Sequence, residues 1–238
     1  NSCASCGMDD CFRSVKPEKN VDFGKTAFLV DEFSSEFDRY IQANRTEKDE
    51  LLLPLDGNRF KRANYAWNTG GFGRVSPSAY ITAVRSIKSR RLAAQGAARQ
   101  KNLLATYEQL AASYAKKLRF DVLHVVVQQN LLPYLWRSGL LGGRTFDVLM
   151  TALPMAELQK RLDHAFQLHG ESKTLGDFRA DPKLVEAEAV ALKNARRIVT
   201  THSAISALFP EKAELLAWKI PEVIAFDKHK SARPRIVF

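Results

Sequence analysis

Cysteine is scarce in this chain and sits entirely at one end, as Cys3, Cys6 and Cys11 of 238 residues. Disulfides therefore cannot staple the remainder. With 45% hydrophobic content the chain has enough apolar material to bury a sizeable core instead. Long apolar runs are missing too: none approaches the ~18 residues of a membrane-spanning helix. Short runs such as Val125-Val126-Val127 and Leu51-Leu52-Leu53 suit strands of a buried sheet. The opening NSCASCGMDDCFRS has no apolar core, so it does not read as a secretory signal peptide. No internal repeat or low-complexity tract is present. Nor is there a P-loop, a G-x-G-x-x-G fingerprint, an H-E-x-x-H helix, a serine nucleophile elbow or a kinase catalytic string. These absences point to a soluble protein, cytoplasmic by default. Asn1 and a Phe238 that closes a strand-like stretch read as cuts in a longer polypeptide.

What is abundant is positive charge. The formal net charge is +10, and residues 85–119 carry much of it. Nine basic residues (Arg85, Lys88, Arg90, Arg91, Arg99, Lys101, Lys116, Lys117, Arg119) face a single acid there, Glu108. Such a region favours an anionic partner, whether nucleic acid, a phosphorylated substrate or an acidic membrane surface. The plainer alternative is a solvated helical face.

Along the chain, apolar strand-like and helical segments alternate. TAFLVDEF and LLLPL read as strands, the second interrupted by Pro54, with a short helix over residues 35–41 between them. ANYAWNTGGFGRVSPSAY reads as loop. From Ser78 a helix begins whose Tyr80, Val84 and Ile87 share a face, and a stronger one follows over residues 102–118. DVLHVVV is a central strand, then come a short helix over 131–138, a strand over 146–151 and a helix over 156–168. A helix over 183–195 and a strand over 197–201 follow, with Ser203 able to cap the next turn. Residues 213–218 are helix or strand, and Trp136 and Trp218 read as core. Alternation at this spacing predicts an α/β fold: a Rossmann-like parallel sheet flanked by helices.

Residue patterns supply several candidate sites. Cys3, Cys6 and Cys11 form C-x2-C-x4-C, which can hold zinc or an iron–sulfur cluster, make one disulfide and leave a free thiol, or stay unliganded. In NTGGFGR, Gly70, Gly71 and Gly73 can wrap a phosphate with backbone N–H groups and Arg74 can add charge; an ordinary flexible loop is the alternative. Tyr65, Trp67 and Phe72 around it either stack on a ligand or close the core. His124 lies inside an apolar strand, as a satisfied core histidine would. His202, beside Ser203 at a strand end, is the better solvent-facing candidate, whereas His164 and His169 read as surface.

The order FDVLHVV, VLMTALP, EAEAVALKNARRIVTTHS, AWKIP over residues 102–238 resembles the N-terminal domain of retaining GT-B glycosyltransferases, the sucrose-synthase and glycogen-synthase-like group. The resemblance implies one half of a GT-B fold. Residues 1–20 are then a cysteine-containing segment and 21–229 an acceptor-side domain. Residues 230–238, with RPRIVF, are a linker and the first strand of a following domain. Asp121 and His124 match the family's D-V-x-H strand, Glu186 or Glu188 its helix acid, and Ser203 the serine after it. Gln128, Gln129 and Asn130 fall just beyond a strand's C-terminal end, where parallel sheets bind ligands. The pattern departs at Leu153-Pro154, where the family has a cleft histidine and aspartate, and Glu214 and Glu222 match no donor-binding pair. The function so implied is hexosyl transfer from a nucleotide-sugar, held mainly by the following domain, to a glycan or lipid-linked acceptor at the membrane periphery. This chain would supply the acceptor side and be inactive alone. The alternative is a nucleic-acid-binding or protein-interaction module built on the basic region and the cysteines.

Overall fold

The computed structural model describes residues 24–91, 96–176 and 179–218. Cys3, Cys6 and Cys11, and the expected linker and strand at 230–238, lie outside the described residues. Among the described residues seven strands form one sheet: β1 (Thr26–Leu29), β2 (Glu50–Leu53), β3 (Arg74–Pro77), β4 (His124–Gln128), β5 (Thr145–Met150), β6 (Arg197–Thr200) and β7 (Ala213–Leu215). Their order is β3-β2-β1-β4-β5-β6-β7, and every neighbouring pair is parallel. The expected α/β, Rossmann-like sheet is what the chain forms.

Strand residues alternate between two cores, as the two-residue repeat of a pleated strand requires. Ala27 and Leu29, Val125 and Val127, and Phe146 and Val148 join one cluster. Phe28, Val126 and Leu149 join the other. Burying each of these larger side chains contributes about 1.5–3 kcal/mol, which explains the three consecutive valines, Val125-Val126-Val127, at the centre of β4. Helix α1 (Ser35–Asn44) covers the second cluster with Phe37, Tyr40 and Ile41, one face at three- and four-residue spacing. Helices α3 (Gly96–Lys117), α4 (Leu132–Arg137), α6 (Pro182–Asn194) and α7 (Ser203–Ser206) cover the first.

Four expectations need correction. The supposed loop contains β3, which pairs with β2 through Arg74, Val75, Ser76 and Pro77; as an edge strand it tolerates the proline. Helix α2 (Ala79–Arg91) is turned the other way from its apolar pattern: Tyr80 and Ile87 are 82% and 54% exposed, while Thr82 and Arg85 are buried. Polar bonds set that rotation. Thr82 Oγ1 donates to the Pro54 carbonyl (2.8 Å) and Arg85 pairs with a buried aspartate. Trp218 is 59% exposed and so not core, whereas Trp67 and Trp136 are buried. Finally, His202 takes the N-cap position of α7 and Ser203 is already its first helical residue, so the serine is no cap.

Candidate functional site

Strand order reverses between β1 and β4: the chain leaves β1 toward one edge of the sheet and later returns to build toward the other. Crossovers diverge at that point and open a crevice beyond the strands' carboxyl ends. Asp31 and Glu32, just past β1, and Gln128, Gln129 and Asn130, at and after the end of β4, meet there. Asp31 is fully buried. Its carboxylate accepts from Arg85 Nη1 (2.7 Å) and Asn130 Nδ2 (2.6 Å). Its backbone N–H donates to Gln128 Oε1, and its carbonyl accepts from the Trp67 indole (2.9 Å). Gln128 Nε2 donates in turn to the Glu32 carbonyl (2.9 Å). A buried carboxylate without a partner would be costly, and Arg85, Asn130 and the helix rotation that delivers Arg85 answer that need.

Arg85 has a second task. Its Nη2 donates to Glu32 Oε1 (2.9 Å) while the guanidinium lies 5.3 Å from the centre of the Tyr107 ring. Glu32 remains largely exposed, so its carboxylate is oriented by Arg85 yet open to a ligand. Burial pushes the Asp31 carboxyl up from its ordinary value, against the pull of Arg85. Burial, reinforced by Asp31, also raises the Tyr107 phenol to about 12, so it stays a hydroxyl donor at neutral pH.

Gln129 faces the neighbouring loop between β5 and helix α5 (Met155–Leu168). Its Nε2 donates to Glu188 Oε1 (3.0 Å) and to the Leu153 carbonyl (3.2 Å), and its Oε1 accepts from the Ala152 N–H. Glu188, buried on α6, also accepts from the Met155 N–H at the start of α5. Burial raises its carboxyl despite these donors. The acid of α6 that reaches the edge is thus Glu188 and not Glu186, which is exposed. Leu153 contributes its carbonyl here. Further along the same edge His202 follows β6, with Ser203 exposed beside it.

The remaining candidates lie elsewhere. The glycine segment enters β3 and therefore sits at the amino end of the sheet, opposite the crevice. There Gly73 N–H donates to the Asp49 carbonyl (2.9 Å), Gly70 N–H to Asn68 Oδ1 (3.0 Å), and Arg45 Nη1 to the Gly71 carbonyl (2.7 Å). Arg74 is held by Glu50 (3.3 Å) and the Lys117 carbonyl (3.1 Å). These N–H groups and this cation serve the loop's own packing, so Gly70, Gly71, Gly73 and Arg74 do not join Gln128–Asn130 in one site. His124 opens β4 at the same amino end, roughly 13 Å from Gln128 at ~3.3 Å per residue. It is buried, with Nδ1 bonded to Thr145 Oγ1 (2.8 Å) and Nε2 3.5 Å from Asp147. That is the satisfied core histidine. Asp121 is likewise at the amino end, paired with Lys25 and Arg119. Trp67 closes the core, edge-on to Phe33.

Asp31, Glu32, Arg85 and Tyr107 were not singled out from the sequence as site residues. An acidic pair directly after the strand TAFLV was the available signal for the first two. Arg85 was counted in the cationic patch because its partner is 54 residues distant. Among the described residues no group of three or more His, Cys, Asp or Glu is placed to hold a metal ion. None of the described helices is long and apolar enough to cross a membrane. No protein-family model matches this sequence, and no curated protein does either.

Proposed function

We propose that this chain is the acceptor-side, Rossmann-like half of a GT-B glycosyltransferase, with the nucleotide-sugar held mainly by a second domain. The observation that carries the reading is the oriented polar row at the switch point: Glu32, fixed by Arg85, beside Asn130, itself fixed by Asp31. A sugar's hydroxyls need carboxylate acceptors and amide groups whose directions are already set, and this row supplies them. A hexosyl acceptor, free glycan or lipid-linked, would lie across it with one hydroxyl on Glu32. Departure of the nucleoside diphosphate needs cations or backbone donors aimed at its phosphates, and the second domain would provide them.

The test uses the longest natural polypeptide containing these residues, incubated with UDP-glucose, ADP-glucose or GDP-mannose and glycan acceptors. Acceptor-dependent release of nucleoside diphosphate is expected, reduced roughly tenfold or more in Glu32→Ala and Asn130→Ala through a higher acceptor KM. Release indifferent to acceptor and to both substitutions would reject the reading.

The partner surface on α2 favours peripheral seating on an acidic membrane. Tyr80 and Ile87 project outward beside a shallow groove of about 520 Å³ lined by Ile81, Val84, Lys88 and Lys116. Lys88, Arg90, Arg91 and Lys116 are exposed around it. Apolar tips in a cationic surround match lipid headgroups over acyl chains better than a nucleic-acid backbone, which offers the tips nothing. A nucleic-acid-binding module stays the competing reading of the same cations, and it predicts steeply salt-dependent binding to DNA or RNA that ignores Tyr80 and Ile87.

A further inference from the structure

We infer that Trp218 and His202 form an aromatic platform on the carboxyl edge of the sheet that stacks against a pyranose ring, a second sugar subsite apart from Asn130. The inference rests on the carbohydrate reading above and adds a contact to it. β6 and β7 are parallel neighbours, with Ile198 opposite Ala213 and Thr200 opposite Leu215. His202 follows the first and Trp218 the second, so both rings leave the sheet at the edge that carries Gln128, Gln129 and Asn130. Their centroids are 5.5 Å apart with planes at 75°, an edge-to-face pair. In that arrangement His202 packs against the indole and covers at most one of its faces.

Exposure makes Trp218 unusual. The chain has three tryptophans; Trp67 and Trp136 are 1% and 8% exposed, while Trp218 is 59% exposed. A large apolar ring already packed against a neighbour has less freedom to lose when a partner lands on it than a fully free one. A pyranose offers the matching surface: a flat patch of C–H groups ringed by hydroxyls. The exposed hydroxyl of Ser203 stands next to His202 to meet such a rim. A nucleobase also stacks on indole, but the oriented carboxylate of Glu32 on the same edge suits hydroxyl donors and repels phosphate. β4 and β7 are three strand spacings apart, roughly 14 Å. One oligosaccharide, rather than one monosaccharide, would touch both the platform and the amide row.

The experiment takes the 238-residue chain, whose tryptophans are Trp67, Trp136 and Trp218, through iodide quenching of tryptophan emission and calorimetric titration with maltotriose and tri-N-acetylchitotriose, with uridine as the competing stacker. With two tryptophans buried, the quenchable emission reports Trp218. The expected result is that iodide quenches wild type, that a trisaccharide protects against it, and that Trp218→Ala weakens trisaccharide binding about tenfold. Trp218→Phe should restore most of the affinity, and His202→Ala should give an intermediate loss. Unchanged trisaccharide affinity in Trp218→Ala would overturn the platform while leaving the acceptor reading intact. Failure of wild type to bind either trisaccharide would take down both. Emission that iodide cannot reach, or protection by uridine alone, would also overturn the platform.

Discussion

Asp31 and Glu32 are adjacent in the chain and share one arginine, yet they are under opposite demands. Asp31 is buried and its carboxylate is held by both Arg85 and Asn130, so removing it leaves a buried guanidinium with only the exposed Glu32 as its carboxylate partner and takes the acceptor from Asn130. Asp31→Ala is therefore expected to cost about 3–5 kcal/mol in urea unfolding. Glu32 is exposed, and Glu32→Ala should shift stability by no more than ~0.5 kcal/mol. A pair of unfolding curves decides this, and equal losses would mean that Arg85 does not depend on Asp31. A second residue-scale expectation concerns Asp147. Burial alone would raise its pKa, but hydrogen bonds and charge from His124 and Arg196 outweigh that, and the net shift is below the ordinary 3.8. A carboxyl with a depressed folded pKa lends stability that is present above the unfolded value and lost as pH falls through the folded one. Wild type should then lose more stability than Asp147→Asn on acidification below about pH 4, measured by urea midpoints at each pH.

Helix α2 shows where reading elements from sequence reaches its limit. The strands could be read because β-branched and aliphatic residues in a parallel sheet are buried on both faces, whatever their neighbours do. Thus DVLHVVV and the run over residues 146–151 announced β4 and β5. A helix shows only which residues share a face; what rotates that face inward depends on its surroundings. For α2 the decisive partners are the Pro54 carbonyl and Asp31, neither of which the spacing of Tyr80, Val84 and Ile87 can reveal. The same gap hid β3, a short edge strand following glycines and ending at a proline. The placement of Gln128, Gln129, Asn130, His202 and Ser203 at the carboxyl ends of strands was legible because strand ends can be located. Arg85 was not, because its role arises from contact across 54 residues. The α2 orientation makes its own prediction. Tyr80→Ser with Ile87→Ser should leave the melting temperature nearly unchanged and sharply reduce co-sedimentation with phosphatidylserine-containing vesicles. Undiminished binding by the double variant, or equal binding to neutral vesicles, would remove the membrane from the partner list.

At the scale of the whole molecule the sheet has two differently used ends. The amino end gathers the tightly packed glycine segment, the Arg74–Glu50 pair and the His124–Asp147–Arg196 cluster, each engaged with its own neighbours. The carboxyl end gathers Asp31, Glu32, Asn130, His202 and Trp218, with open side chains among them. Gly71 tests the division. It has a φ of +72°, and a Cβ there would fall 2.1 Å from Arg45 Nη1. Gly71→Ala should destabilise the protein by about 1–3 kcal/mol. Below its melting temperature, ligand affinity at the carboxyl end should not change, since the two ends do not share side chains. Altered trisaccharide binding in a fully folded Gly71→Ala protein would show that the ends are coupled.

Helix α2 belongs to neither end alone. Arg85 on its inner side grips the carboxylates of the crevice, while Tyr80 and Ile87 stand on its outer side. A helix is only about 10 Å across, so a surface that holds the outer side lies within a few ångströms of the groups the inner side positions. A lipid-borne acceptor would then need no long search once the protein had landed, because the place where it lands and the place where the acceptor is read would be two walls of one helix.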